Sequence, residues 1–180
     1  MAAEDFLHLD LERAKRCGFP EVVFGEGKTV EEVLVASQGL IDAHERVLVT
    51  RVNEEKQAAL AERFPSGEVH ERARCFVLNP PEATAGPVAV VSAGTSDAGV
   101  AEEALQTLRA RGVETKRIAD CGVAGLHRLL GRLEEIRSCV AVVAVAGMDA
   151  ALPTVLGGLI DQPMVAVPTS VGYGVAAGGH

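Results

Sequence analysis

The sequence predicts an α/β protein: a three-layer sandwich with helices on both faces of a parallel sheet, preceded by a small α/β domain. Three observations carry this. From Val88 onward, aliphatic and β-branched runs alternate strictly with helix-forming stretches, the pattern of parallel strands joined by right-handed crossovers. The clearest run, VAVVS at Val88–Ser92, has no polar alternation, as a strand buried on both faces requires. The stretch NPPEATAGP, from Asn79 to Pro87, can continue neither helix nor strand and so separates two units. The expected domain bounds are residues 1–80 and 88–180, with a linker over 81–87.

The 180 residues suffice for one sizeable core or two small ones. With 48% hydrophobic residues, 23% charged residues and no Trp, the composition is that of a soluble protein with an aliphatic core. A net charge of −8 argues against a nucleic-acid or acidic-membrane surface and leaves small anions as ligands. Cys17, Cys75, Cys121 and Cys139 form no CxxC pair and have no His at zinc-ligand spacing, so nothing supports a structural metal site. The opening MAAEDFLHLD has neither the basic start nor the apolar stretch of a signal peptide. The expectation is therefore a cytoplasmic protein with free thiols. No apolar run approaches the ~20 residues that span a bilayer.

In chain order, a charged stretch with Arg13, Lys15 and Arg16 precedes a strand at EVVF, residues 21–24. Thr29 and Glu32 have capping-box spacing ahead of an amphipathic helix. VLVT from Val47 reads as a strand, NEEKQAALAERF as a helix and ARCFVLN as a third strand. The FGEGKT turn is not a phosphate-binding P-loop, because Val22 stands where the pattern needs glycine. Lys28 there is a ligand contact or an ordinary solvated turn lysine. Beyond the linker, strands are expected at Val88–Ser92, Glu114–Ile118, Val140–Ala146 and Met164–Val167, with helices beginning near Gly99, Gly122 and Asp149.

Three turns follow the carboxyl ends of these strands: SAGTSD, AGMDAALP and VPTSVGYG. Such turns line one edge of a parallel sheet, where small residues and helix N-termini receive anions. Asp97, Asp149 and the Thr169–Gly174 loop are thus expected to converge, and a carboxylate pair there can move protons. The alternative is that Ser96, Asp97 and Asp149 merely cap helices, and spacing does not separate the two readings. Cys121, in the glycine-punctuated DCGVAGLHRLL, reads as a helix-activated thiolate or a buried structural thiol. His127 faces the cleft through its small neighbours Ala124 and Gly131, or is an ordinary surface or packed histidine.

The blocks GFPEVVFGEGKT, SAGTSDAGVAEEA, DCGVAGLHRLL and VAGMDAALPTVLGGLIDQPMVAVPTSVGYG together resemble the LarB family, the carboxylase of nickel-pincer-cofactor biosynthesis, over about Leu9 to Tyr173. The second domain is similar to PurE, the aminoimidazole ribonucleotide carboxylase/mutase, whose glycine-serine-x-serine-aspartate turn corresponds to GTSD here. The resemblance implies a PurE-like, Rossmann-like second domain. It also implies carboxylation of the pyridinium ring of nicotinic acid adenine dinucleotide, with release of AMP. Carbon dioxide or bicarbonate is then the co-substrate; no cofactor is firmly assigned, although Mg is admitted. By position, Asp97 and Asp149 take the catalytic roles, with Asp149 as proton acceptor, one methylene shorter than the Glu of some relatives. Gly94, Thr95, Ser96, His127, Thr169, Ser170, Gly172, Tyr173 and Gly174 fall at nucleotide-binding positions.

The resemblance further implies a homo-oligomer, an octamer as in PurE, with no nucleic-acid or membrane partner. It also implies a further helix, an NSC segment carrying the nucleophilic cysteine, and a strand after SVGYG, whereas this sequence ends at His180. On that comparison the second domain is expected to be truncated and the chain to lack the nucleophile. A PurE-like aminoimidazole ribonucleotide carboxylase is a second reading, against which AGMDAALP lacks that family's histidine. A non-catalytic nucleotide-binding protein is a third.

Overall fold

The structure, a computed structural model, describes residues 7–171. The chain divides into two compact units, Met1–Pro81 and Glu82–His180.

The first unit contains helices α1 (Arg13–Cys17), α2 (Val30–His44) and α3 (Glu54–Arg63), and strands β1 (Val23–Phe24), β2 (Val47–Thr50), β3 (Glu68–His70) and β4 (Cys75–Leu78). The strands form a mixed sheet in the order β1-β2-β4-β3, with β1 parallel to β2 and the other pairs antiparallel. α2 starts where the capping box places it: Thr29 Oγ1 accepts the Glu32 N–H at 3.2 Å, and Glu32 Oε2 accepts the Thr29 N–H at 2.7 Å. Asn53 caps α3 by accepting the Lys56 N–H at 3.1 Å. Val33, Ala36 and Leu40 of α2 and Leu60 of α3 pack on Val47, Val49, Phe76 and Leu78. The sequence reading did not include α1 or β3. β3 turns into β4 through Glu71–Arg74 without a glycine, asparagine or aspartate, and Arg74 itself takes the left-handed conformation, φ 53°.

The second unit is a parallel sheet in the order β6-β5-β7-β8, built from β5 (Ala85–Ser92), β6 (Val113–Ile118), β7 (Ala141–Ala146) and β8 (Met164–Pro168). Its helices are α4 (Ala98–Ala110), α5 (Leu126–Leu130), α6 (Leu133–Arg137) and α7 (Ala151–Gly157). Side chains alternate across the sheet. Ala89, Val91, Val142 and Ala144 face Leu129, Ile136, Leu152 and Leu156 of α5, α6 and α7. Val90 and Val145 face Ala101 and Leu105 of α4. Helices therefore cover both faces, giving the three layers expected.

One boundary differs from the sequence reading. β5 begins at Ala85, three residues inside the stretch read as linker. Pro87 is tolerated in this central strand because the register shifts between Ala85 and Val88, a bulge that takes its missing N–H out of the ladder. Its carbonyl still accepts the Val140 N–H at 2.9 Å. No helix among the described residues is long and apolar enough to cross a membrane.

Candidate functional site

The carboxyl ends of β5 to β8 are laced together by main-chain bonds. The Ala93 N–H donates to Val145 O (3.0 Å), Cys121 N–H to Ser92 O (3.0 Å) and Thr169 N–H to Ala146 O (3.1 Å). Between the turns that follow lies a cavity of about 230 Å³. Ala93, Val123, Ala146, Met148 and Leu152 form its apolar walls, while Ser96, Asp97, Asp120 and Arg128 bring polar groups to it. Such a combination at the carboxyl edge of a parallel sheet is that of a small-molecule site.

Asp97 is the buried centre of this edge, 3% exposed. It closes a short 3-10 turn, Thr95–Asp97, ahead of α4. Its carboxylate does not cap α4. Oδ2 instead accepts the Gly94 N–H at 2.9 Å, and Oδ1 accepts from Thr169 Oγ1 at 2.7 Å across 72 residues of sequence. Gly94 and Ser96 line the cavity, whereas Thr95 is exposed beside it.

Asp149 is placed differently from the expectation of a converging Asp97–Asp149 pair. It is exposed, takes a left-handed conformation (φ 49°) and is not among the lining residues, although its neighbour Met148 is. It does not cap α7, whose N-cap position is Ala150 with no side-chain cap. The second carboxylate that reaches the cavity is Asp120, at the end of β6, paired with the Arg128 guanidinium. His127 is exposed and outside the lining, which takes Arg128 instead. One residue along a helix rotates a side chain by about 100°, so the step from His127 to Arg128 changes which group faces the cavity. Gly125 makes the seat for that guanidinium: a Cβ there would lie 2.7 Å from Arg128 Nε.

The sequence reading missed Asp120, Arg128 and Met148. Asp120 had a usable signal, since it opens DCGVAGLHRLL, a strand-end stretch that was read for Cys121 and His127 but not for its acid.

Thr169 is buried and Ser170 exposed; neither lines the cavity, although Val171 does. Gly172, Tyr173 and Gly174 lie outside the described residues. Cys121 is a core thiol, 1% exposed, packed with Leu129 and Ile136. Burial pushes its thiol up, against the opposing pull of the Arg132 and Arg128 guanidiniums. It therefore has neither the access nor the ionisation of a nucleophile. Lys28 belongs to the first unit and is not a lining residue. Among the described residues, no group of three or more His, Cys, Asp or Glu side chains is placed to hold a metal ion.

Residues 1–80 match the LarB/PurE-like N-terminal domain, and residues 87–177 match the AIR carboxylase domain. An uncharacterized protein of Methanocaldococcus jannaschii is 35% identical over 182 residues, covering 96% of this chain and 71% of that protein. An N5-carboxyaminoimidazole ribonucleotide mutase of the same organism is 33% identical over 84 residues, covering 45% of this chain and 51% of the mutase. With an AIR carboxylase domain behind a LarB/PurE-like N-terminal domain, the chain belongs to the LarB-like, PurE-related branch of the AIR carboxylase family.

Proposed function

We propose that the cavity at the carboxyl ends of β5 to β8 is the nucleotide site of a LarB-type carboxylase. In this reading the site takes nicotinic acid adenine dinucleotide, adds a carboxyl group from carbon dioxide or bicarbonate to its pyridinium ring, and releases AMP by hydrolysis of the phosphoanhydride. The observation that carries the reading is the pairing of the two domains, since the N-terminal match distinguishes this chain from a lone AIR carboxylase domain.

The chemical difficulty is electronic. A pyridinium is electron-poor and does not attack carbon dioxide until a nucleophile has added to the ring and made an enamine-like dihydropyridine. A base then removes the proton from the newly carboxylated carbon, and the nucleophile leaves. The cavity supports parts of this sequence. Ala93, Val123, Met148 and Leu152 give a flat ring an apolar bed, and Arg128 offers a planar guanidinium to a carboxylate or phosphate. Asp97 already accepts two hydrogen bonds and is suited to holding a sugar hydroxyl. Asp120, in the lining, and Asp149, one residue beyond Met148, are the carboxylates left for proton transfer. None of the four cysteines lines the cavity, so its lining contributes binding and proton transfer and no thiolate.

A second reading is a carboxylase or mutase of aminoimidazole ribonucleotides, favoured by the likeness of this chain to the mutase of M. jannaschii. One experiment separates the two. The purified protein is incubated with labelled bicarbonate and either nicotinic acid adenine dinucleotide or aminoimidazole ribonucleotide, and products are resolved by mass spectrometry. Label in a pyridinium mononucleotide together with free AMP supports the first reading. Label in the imidazole product alone supports the second. Calorimetric binding of the dinucleotide without turnover reduces the assignment to nucleotide recognition.

A further inference from the structure

Thr169 fell at a nucleotide-binding position in the sequence, yet it is 2% exposed and not among the residues lining the cavity. Its hydroxyl instead stands between two acceptors, Asp97 Oδ1 at 2.7 Å and the Val171 carbonyl at 2.9 Å. A threonine has one hydroxyl proton, so these acceptors compete for it, and the ionised carboxylate is the stronger. The hydroxyl is held from behind. The Thr169 N–H is fixed on Ala146 O, and the loop that follows rests on Gly147, which has no side chain to push it away.

A carboxylate has about four lone-pair directions. Gly94 N–H takes one on Oδ2 and Thr169 takes one on Oδ1, which fixes the rotation of the Asp97 carboxylate and leaves its remaining lone pairs for the cavity that Asp97 lines. We infer that Thr169 is the positioning residue of this site: it acts on the ligand only through Asp97, and it ties the end of β8 to the turn after β5. A ligand that donates hydroxyl hydrogen bonds to Asp97, as a sugar does, therefore reads the position of the β8 loop. This inference rests on Asp97 being a ligand-binding group.

The test is calorimetric titration of the full chain with nicotinic acid adenine dinucleotide, using wild type, Thr169→Val, Thr169→Ser, Asp97→Ala and the Thr169→Val/Asp97→Ala double variant. The Gly94 amide resonance is followed by NMR in each protein. Thr169→Val is expected to weaken binding about tenfold and Thr169→Ser by about twofold or less, as the loss and retention of a hydrogen bond to a charged group require. The double variant is expected to bind no more weakly than Asp97→Ala, because an alanine at 97 leaves Thr169 no side-chain acceptor to hold. The Gly94 amide is expected to shift in Thr169→Val and stay in place in Thr169→Ser. A valine variant that binds like wild type, or losses that add in the double variant, overturns the inference. If wild type does not bind the dinucleotide, the nucleotide reading fails by itself, and the Gly94 amide decides the positioning role: a shift in Thr169→Val upholds it and an unmoved resonance overturns it. Should Thr169→Val not fold, Thr169→Ala removes the same hydroxyl without adding bulk.

Discussion

Gly147 lies so close beneath Val171 that a Cβ on it would stand 1.8 Å from the Val171 carbonyl oxygen, and 2.7 Å from Thr169 Oγ1. The end of β7 thus accepts the β8 loop only because residue 147 has no side chain. Val171 lines the cavity and Thr169 holds Asp97, so one missing methyl group sets the geometry of two walls.

Gly147→Ala is accordingly expected to move the loop and not merely to fill space. Overpacking of this kind costs roughly 1–3 kcal/mol, which urea titration of the second unit will register as a lower midpoint with little change in slope. Dinucleotide affinity is expected to fall alongside. A variant with wild-type stability and wild-type affinity would show that the loop shifts without consequence for Asp97.

Arg128 and Asp120 should respond in opposite directions. They pair directly in the cavity lining while both remain partly in water, at 41% and 54% exposure, so the pair itself contributes little to stability. Its effect is on the anion that approaches. Arg128→Ala is expected to weaken the binding of a phosphate-bearing nucleotide about tenfold or more, and Arg128→Lys to restore it only in part, because a point charge does not replace a planar fork. Asp120→Asn removes a negative charge from the lining and is expected to tighten anion binding by a few-fold at low ionic strength, an effect that fades with added salt. Titrations with AMP at two salt concentrations check both signs, and the same direction for both variants would contradict the assignment.

The features legible in the sequence were those fixed by local chemistry. Strict alternation after Val88 specified the parallel sheet, and the spacing of Thr29 and Glu32 specified the start of α2 to the residue. GTSD could be read equally as a site turn or as a helix cap; in the structure the Asp97 carboxylate does not cap α4 and lines the cavity. What was not legible depends on direction in space. Asp149 and Asp120 are both acids in strand-end turns and both take the left-handed conformation, yet only Asp120 lines the cavity, a difference no local pattern carries. His127 and Arg128 are adjacent in sequence, and the start of α5 at Leu126 decides which one faces it. The bond from Thr169 to Asp97 spans 72 residues, and no local pattern encodes it.

The thiols give a check on the core that is independent of any ligand. Cys17 is exposed, whereas Cys75, Cys121 and Cys139 are buried. Reaction with a chromogenic disulfide at neutral pH is expected to show one fast thiol and three slow ones, with all four reacting at once in denaturant. Cys121 should be slow on two counts, since burial both blocks access and pushes its thiol above the ordinary range. A second fast thiol that disappears in Cys121→Ser would mean that the turn after β6 opens in solution.

The last prediction concerns acid. The Thr29 N–H bond holds the Glu32 carboxyl below the usual carboxylate range, with smaller help from the Thr29 side chain and from the Lys28 and Lys56 charges. A group whose value is lower in the folded chain binds its proton more readily when unfolded, so its contribution is fully present above the unfolded value of about 4.3. It is lost as pH falls through the lower, folded value. The first unit should therefore lose stability in that acid window, when the capping box of α2 loses its charged member. Glu32→Gln keeps an acceptor at the same position and removes the titration. It is expected to be slightly less stable than wild type at pH 7, where the charge also favours the helix N-terminus. The two proteins should then converge as pH falls through that lowered, folded value. Thermal unfolding of both, followed by circular dichroism between neutral and acid pH, gives the comparison. Parallel curves across the whole range would mean that the Glu32 charge contributes nothing to holding the start of α2.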